Sequence, residues 1–299
     1  MSADIQTFNL PNMEIISLLG EGGMASVWKA RQISLDRLVA IKILSNTFSS
    51  KEDDIARFLQ EARVAARLKH PGIVEIYDAN FSSGLYYYIM EYISGYTFGA
   101  LMERKGRVPL DDALTIAESV AIALDYAWDK FQLVHCDIKP DNIMVDSDGT
   151  VKITDLGLCH ALKLQANAGQ ETCDEVLGTP AYISPEQVYG DTPLDCRSDI
   201  YELGATLYHM ISGRMLFPGL GYEETMRCHV GDAQAPDIRE IVPFVPAPVA
   251  MLLEKMLAKN PKFRHKDWKE VLADLMRIRA NRIPQVAPIP PKGSSMERK

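Results

Sequence analysis

"HCDIKPDNIMVDSDGTVKITDLG", residues 135–157, is the stretch from which the rest of the chain is read. Asp137, Lys139 and Asn142 fall together near its start. "IMV" and "VKIT" are short β-type runs, and the Asp148-Gly149 pair between them suits a tight hairpin turn. A hairpin returns the chain to its starting point, so it delivers Asp155 beside Asn142. A carboxylate with a carboxamide is an all-oxygen pair suited to Mg2+, which takes few protein ligands and completes its shell with water and phosphate oxygens. Asp137 is then available to accept a hydroxyl proton, and Lys139 to steady negative charge on a phosphoryl group in transfer. The competing reading is an acidic loop rich in Asx turns. The pieces, however, fit a single reaction.

Upstream, "LGEGGMASV" (19–27) follows the β-type run "EIISLL". Gly20, Gly22 and Gly23 let a backbone approach the phosphates of a ligand, with N–H groups as donors. The same glycines also fit a dinucleotide fingerprint with Ala25 at its third position, or a plain hairpin turn. The fingerprint needs a helix next and an acid at the end of the following strand. Here Val27-Trp28 continue as strand, and "RLVAIKIL" (37–44) carries a lysine and no acid. Period 2 puts Ala40 and Lys42 on one face of that strand and Val39, Ile41 and Ile43 on the other. A lysine among apolar neighbours is costly unless its ammonium meets an anion or, on an edge strand, reaches water. The helical stretch "KEDDIARFLQEARVAARLKH" (51–70) offers Glu61, which lies on or beside the stripe of Phe58, Ala65 and Leu68. Surface pairing with Arg57 is the alternative for Glu61. A buried acid near a buried lysine is the more economical reading.

The 299-residue chain is 47% hydrophobic and 24% charged, an ordinary globular composition with ample material for a core. Its net charge of −8 repels phosphate backbones, so nucleic acid is not an expected partner. No apolar run approaches the ~18–20 residues of a membrane helix. The start, "MSADIQTFNLPN", lacks the basic and apolar regions of a secretory signal. Cys136, Cys159, Cys173, Cys196 and Cys228 are odd in number and lack C-x-x-C spacing, which suggests reduced thiols in a cytoplasmic protein.

Residues 12–93 read as strand-rich with one main helix. "IVEIYDAN" and "LYYYIMEYI", separated by "FSSG", form an expected hairpin. Ser94-Gly95 is a plausible break, and 94–280 reads as mostly helical. "PLDDALTIAESVAIALDYAWDK" (109–130) has Pro and acids where a helix starts. "SDIYELGATLYHMISG" (198–213) is apolar nearly all round, as a central buried helix is. "KDWKEVLADLMRIRA" (266–280) is an amphipathic closing helix. Residues 281–299 are Pro-rich and then polar, and the expectation there is a flexible tail.

Taken in order, Gly20 to Val27, "VAIK" (39–42), Glu61, "HCDIKPDN" (135–142), "DLG" (155–157), "SPE" (184–186) and Asp199 resemble the eukaryotic-type protein kinase family, most closely its bacterial serine/threonine branch. The resemblance covers 12–280. It implies an α+β, two-lobed fold: a small antiparallel-sheet lobe with one main helix and the hinge (12–93), and a larger helical lobe (94–280), with ATP in the cleft between. In that family Gly20, Glu21, Gly22, Gly23, Met24 and Ala25 would cover the phosphates. Lys42 would hold the α- and β-phosphates and pair with Glu61. Asp137 would position the acceptor hydroxyl beside Lys139, and Asn142 and Asp155 would bind Mg2+. Val27, Ala40 and Met144 would sandwich the adenine, Met90 would be the gatekeeper, and the backbones of Glu91 and Ile93 would supply hinge hydrogen bonds. Lys139 and Thr179 of "GTPAYISPE" resemble the Ser/Thr-specific pattern, so the implied partners are protein substrates. Self-phosphorylation and a homodimer through the smaller lobe are also compatible with the family. Glu186 with Arg264, and Asp199 at the catalytic loop, would be structural. The rival classes are a pseudokinase scaffold, against which Lys42, Asp137, Asn142 and Asp155 are all present, and a small-molecule kinase, against which "GTPAYISPE" stands.

Ala25, Leu156 and Ser184 depart from the family pattern mildly. Cys136 matters more. The family's arginine at this place binds a phosphorylated residue of the activation segment by charge-assisted hydrogen bonds, and a thiol cannot. The expectation is activity that depends weakly on phosphorylation of the 155–186 segment, which contains Thr172. Thiol control through Cys136, Cys159 and Cys173 is a second reading. A small buried hydrophobe is the plainer one for Cys136.

Overall fold

The computed structural model describes residues 9–22, 24–45, 52–156, 179–190, 193–285 and 288–298. The chain divides into two compact units, Met1–Ser94 and Gly95–Lys299. In the first, five antiparallel strands run in the order β1-β2-β3-β5-β4. They are β1 (Met13–Glu21), β2 (Ala25–Gln32), β3 (Arg37–Leu44), β4 (Ile76–Ser82) and β5 (Leu85–Glu91). Alternation along β3 sorts the sheet's faces. Val39, Ile41 and Ile43 join Leu10, Met13, Ala30, Tyr87 and Ile89 in one apolar cluster, and Ala40 and Lys42 take the other face. Directly opposed residues share a face, so Val27 and Tyr88 accompany Lys42, and Met90 accompanies Ala40. β4 and β5 are joined through Ser83 and Gly84, whose φ values of 54° and 78° give a hairpin turn matched to strand twist. Helix α1 (Glu52–Ala65) opens with three acids, favourable at the positive end of its dipole. Its Phe58 lies against Tyr88, ring centroids 5.0 Å apart.

The second unit holds a three-stranded sheet, β6 (Tyr96–Thr97), β7 (Ile143–Val145) and β8 (Val151–Ile153). Its described helices are α2 (Phe98–Lys105), α3 (Leu110–Phe131), α4 (Pro185–Tyr189), α5 (Cys196–Ser212), α6 (Tyr222–Val230), α7 (Ile238–Ile241), α8 (Ala247–Met256) and α9 (Trp268–Arg279). α5 is buried on almost every side, as its all-round apolar sequence requires. The Asp195 side chain caps it by accepting the Arg197 N–H. Gly204 in its middle lets α8 come close, because a Cβ there would stand 2.8 Å from the Met256 Cβ. The small antiparallel sheet with one helix and the larger helical unit match the α+β architecture expected. No described helix is long and apolar enough to cross a membrane.

One expectation needs correction. The sequence suggests a flexible tail over 281–299, but residues 293–297 are packed between two other segments of the second unit. Ser294 pairs antiparallel with Ala258, and Met296 pairs parallel with Ala235. Ser294, Ser295 and Met296 are 2%, 0% and 0% exposed. Gly-Ser-Ser-Met carries no strand periodicity. A slot between two backbones supplies the structure instead. The chain enters that slot by a turn in which Gly293 N–H reaches the Pro290 carbonyl at 2.8 Å and Lys292 has φ 57°.

Glu186 on α4 and Arg264 form a bidentate pair, with Nη1–Oε1 at 2.6 Å and Nη2–Oε2 at 2.8 Å. Ser198 donates to Glu186 at 2.7 Å, and the guanidinium also reaches the carbonyls of Ala258, Arg197 and Lys259. Burial opposes ionisation of Glu186, but Arg264 and Ser198 outweigh it and hold the carboxyl below its usual range. Removing one member of such a pair strands the other. Arg264→Met is expected to lower stability to urea by about 3–5 kcal/mol at pH 7. A depressed folded-state pKa contributes stability above the usual value of 4.5, and that contribution is lost as pH falls through the folded value. The gap between wild type and variant should therefore narrow below pH 4.5 in a pH series of urea melts. A gap constant down to acid pH would contradict the role given to Arg264.

Candidate active site

In the first unit, the Lys42 ammonium on β3 lies 3.1 Å from Glu61 Oε1 of α1, and the Tyr88 hydroxyl donates to the same oxygen at 3.0 Å. Glu61 is 3% exposed, so it makes the buried pairing. The side chain of Arg57, its surface alternative, lies outside the described atoms. Two charge-assisted hydrogen bonds to one desolvated oxygen hold Lys42 in a single place. β1 and β2 meet in a turn closed by Gly22 N–H to Ala25 O at 2.9 Å. A Cβ at Gly20 would meet no atom, and one at Gly22 only the Ala25 oxygen at 3.6 Å. Neither has positive φ. The chain's own packing therefore does not require these glycines, and their effect is to leave open backbone. Gly23 lies outside the described residues. Val27, Ala40 and Met90 share the Lys42 face. Beyond them the Glu91 N–H donates to Glu75 O at 2.8 Å, and Ile93 is buried.

In the second unit, Asp137, Lys139, Asn142 and Thr179 form one cluster. Lys139 Nζ lies 2.7 Å from Asp137 Oδ2 and donates to Thr179 Oγ1 at 2.7 Å. Thr179 donates its hydroxyl and its N–H to Asp137 Oδ1, at 2.8 and 3.2 Å. Asn142 Nδ2 donates to Asp137 Oδ2 at 2.9 Å and to its carbonyl at 2.8 Å. Burial opposes ionisation of Asp137, but Lys139 and Thr179 outweigh it and keep the carboxyl below its usual range. The β7–β8 hairpin pairs Ile143 with Ile153, and Thr154 N–H reaches Asn142 O at 3.0 Å, so Asp155 follows alongside Asn142. Asp155 turns the chain there with φ 59°. Met144 lies on β7.

The donor set fits Mg2+. Asn142 points its amide nitrogen at Asp137, which turns the oxygen, its only ligating atom, away. Asp155 adds a carboxylate. Burial keeps His135 neutral, and its Nε2 is engaged with Thr154 O at 3.1 Å, so the ring does not compete as a ligand. Two oxygen donors suit an ion that takes few protein ligands and retains several waters and phosphate oxygens.

The loop is held from below by α5. His135 and Cys136 donate their N–H groups to Asp199 at 2.8 and 2.9 Å, and Ile138 donates to Glu202 at 2.7 Å. Gln187 Nε2 reaches both Glu202 Oε1 at 2.8 Å and the Cys136 carbonyl at 3.0 Å. Burial pushes Asp199 up to about 7 against the pull of its two N–H donors, and raises Glu202 with the added charge of Asp199. Sequence reasoning found Asp199 but missed Glu202, Gln187 and Tyr88. Glu202 had a signal: a second acid three residues after Asp199 on an otherwise apolar helix. Tyr88 had none without the strand register.

Residues 13–275 match the family model of the protein kinase domain. The chain is similar to PrkC of Bacillus subtilis, named a serine/threonine-protein kinase: 37% identical over 262 residues, covering 88% of this chain and 40% of that protein. It is 36% identical to PknB of Mycolicibacterium smegmatis, also named a serine/threonine-protein kinase, over 275 residues, covering 91% of this chain and 43% of that one. A probable serine/threonine-protein kinase of Clostridium perfringens is 35% identical over 266 residues, 89% of this chain and 38% of that protein. The chain thus spans about two fifths of the length of the curated relatives it matches. Among solved structures, the PknI kinase domain of Mycobacterium tuberculosis superposes with a TM-score of 0.70 at 27% identity, covering 91% of this chain and 96% of that domain.

Cys136 has φ 64°, a left-handed backbone for a residue with a Cβ, and is 2% exposed beside Val134, Trp128 and Leu194. Cys196 is also buried, and desolvation drives its thiol up to about 12. Cys228 is partly exposed. Cys159 and Cys173 lie outside the described residues. Thiol reactivity follows exposed thiolate. Brief alkylation of the native protein, read by mass spectrometry, is therefore expected to modify Cys228 before Cys136 and Cys196, which should label only on unfolding. Early labelling of Cys136 would revive thiol control.

Proposed function

The chain belongs to the protein kinase domain family, and on that basis we propose that it transfers the γ-phosphoryl group of ATP, with Mg2+, to serine or threonine hydroxyls of proteins. The observation that carries the proposal is the joining of Asp137, Lys139, Asn142 and Thr179 in one hydrogen-bonded cluster beside Asp155. Mg2+, when bound, supplies charge neutralisation on the phosphates, and Asn142 and Asp155 are the residues that would hold it. Phosphoryl transfer of this kind asks the protein mainly for positioning and fixed charge. Lys42, steadied by Glu61 and Tyr88, is suited to the α- and β-phosphates. The open backbone at Gly20 and Gly22 is suited to close approach of phosphate, with Glu21, Gly23, Met24 and Ala25 completing the loop. Val27, Ala40 and Met144 are assigned apolar contacts with adenine, Met90 the gatekeeper position, and Glu91 and Ile93 backbone hydrogen bonds to the base.

Asp137 is the residue that orients the acceptor hydroxyl. Its depressed pKa makes it a weak base, so its contribution is direction and late proton acceptance rather than prior ionisation of the alcohol. Lys139 stands where it balances charge on the transferring group. Thr179, hydrogen-bonded to both Asp137 and Lys139, supports a serine/threonine acceptor.

Asp199, Glu202 and Gln187 already hold the catalytic loop through backbone atoms. That supports a site ordered without an arginine at position 136, and so an activity that depends weakly on activation-segment phosphorylation. Thr172 lies outside the described residues.

Incubating pure protein with labelled ATP and Mg2+, then mapping phosphorylated positions by mass spectrometry, is the direct test. Label should appear on serine or threonine of an added protein or of the chain itself. No label at all would favour a scaffold. Asp137→Asn is expected to lower turnover by about two to four orders of magnitude while ATP binding persists. Thr172→Ala should keep most of the wild-type rate. Loss of activity in a folded Thr172→Ala protein would show that activation-segment phosphorylation is needed after all.

A further inference from the structure

Residues 293–297 do more than lie on the surface of the second unit: they are bridged to a neighbouring segment on each side. On one side Lys259 N–H donates to Gly293 O at 2.8 Å, and Ser295 N–H to Leu257 O at 2.9 Å. On the other, Ala235 N–H donates to Ser295 O at 2.8 Å, and Glu297 N–H to Ala235 O at 2.9 Å. Gln234 Nε2 reaches Ser294 O at 2.9 Å, and Ser294 Oγ donates to Glu254 O at 2.8 Å. The groove thus matches the strand donor for acceptor, with a fully enclosed site for Met296. This strand lies beyond the stretch matched by the family model, which ends at residue 275.

At the floor of the groove, Ser295 Oγ meets the Tyr201 hydroxyl at 2.6 Å, and that hydroxyl meets His229 Nδ1 at 2.6 Å. All three side chains are 0% exposed. Burial drives His229 down to about 3, so the ring is neutral. Either hydroxyl can donate in the Ser295–Tyr201 bond, and a Tyr201 hydroxyl that donates to Nδ1 leaves the ring proton on Nε2. Among the described residues that nitrogen makes no hydrogen bond of ordinary geometry, and the Pro180 carbonyl acts on the ring. Pro180 follows Thr179, whose hydroxyl and N–H hold Asp137.

We propose that the groove between residues 233–235 and 257–259 is a peptide-strand site whose ligand is this chain's own segment 293–297, and that its occupancy sets the position of the 179–182 segment through Ser295, Tyr201 and His229. Released, the segment leaves the Tyr201 hydroxyl with a neutral histidine as its sole described hydrogen-bond partner and frees the histidine ring to turn towards or away from Pro180. The segment is a clasp acting on the Thr179 side of the cluster.

The test uses the full chain. Met296→Asp places a carboxylate in the enclosed site. Gly293→Val places a Cβ 2.7 Å from the Pro290 oxygen at a partly exposed turn, which spares the core if the first variant fails to fold. Hydrogen exchange read by mass spectrometry is expected to rise at least tenfold at Ala235 and Lys259, and several-fold at Thr179 and Tyr182, with α3 unchanged. A synthetic peptide of residues 288–298 added to either variant should restore protection. Ser295→Ala should keep Ala235 and Lys259 protected yet still raise exchange at Thr179. Unchanged exchange at Ala235 and Lys259 in a folded release variant overturns the clasp. A rise there with none at Thr179 and Tyr182 overturns the coupling. A several-fold higher KM for a serine peptide, with KM for ATP within twofold, is the kinetic consequence, and it alone rests on the kinase reading. Absence of any phosphotransfer by wild type would count against that reading, while the exchange measurements still judge the clasp.

Discussion

The carboxyl group of Asp199 accepts two consecutive backbone N–H groups, those of His135 and Cys136, inside the second unit. Much of the candidate site depends on this one contact. It clamps the chain on both sides of the His135 Cα and, with Gln187 on the Cys136 carbonyl, holds Cys136 in a left-handed backbone that its own sterics disfavour. From that kink the next residues are aimed. Asp137 turns towards Thr179 and Asn142, Ile138 returns its N–H to Glu202, and Lys139 closes on Asp137. Both acids rise from α5, which is immobilised by burial on nearly all sides. The rigidity of a helix is thereby transmitted to a loop, which is the arrangement that keeps a reactive constellation in register.

The arrangement also explains how a thiol can stand at position 136. The loop's backbone is fixed through main-chain atoms that any residue supplies. Cys136 contributes its N–H to Asp199 and its carbonyl to Gln187, and its sulfur fills a small apolar space near Val134 and Trp128. These hydrogen bonds on the loop use no side-chain atom of residue 136.

Parts of the molecule were legible in the sequence because their cause is local. Strand periodicity put Ala40 and Lys42 on one face, helical periodicity put Glu61 on the buried stripe, and the Asp148-Gly149 turn returned Asp155 to Asn142. Each needs only a few residues of context. Tyr88, Gln187 and Glu202 were not legible, since their roles arise from strand register or from packing between distant segments. The stretch 293–297 misled for a different reason. Composition reports what side chains can bury, and Pro-rich, polar stretches bury little. Here backbone hydrogen bonds in a waiting slot do the ordering, with Met296 the only large apolar side chain involved.

That slot has an implication for synthesis. Its two walls, around Ala235 and Leu257, leave the ribosome before the strand that fills it. Until residues 293–297 emerge, the nascent lobe has two facing edges with unmatched N–H and carbonyl groups and an empty site for a methionine. Exposed edges of that kind invite pairing with other chains. The pairing on both sides therefore closes only once residues 293–297 thread between walls already standing.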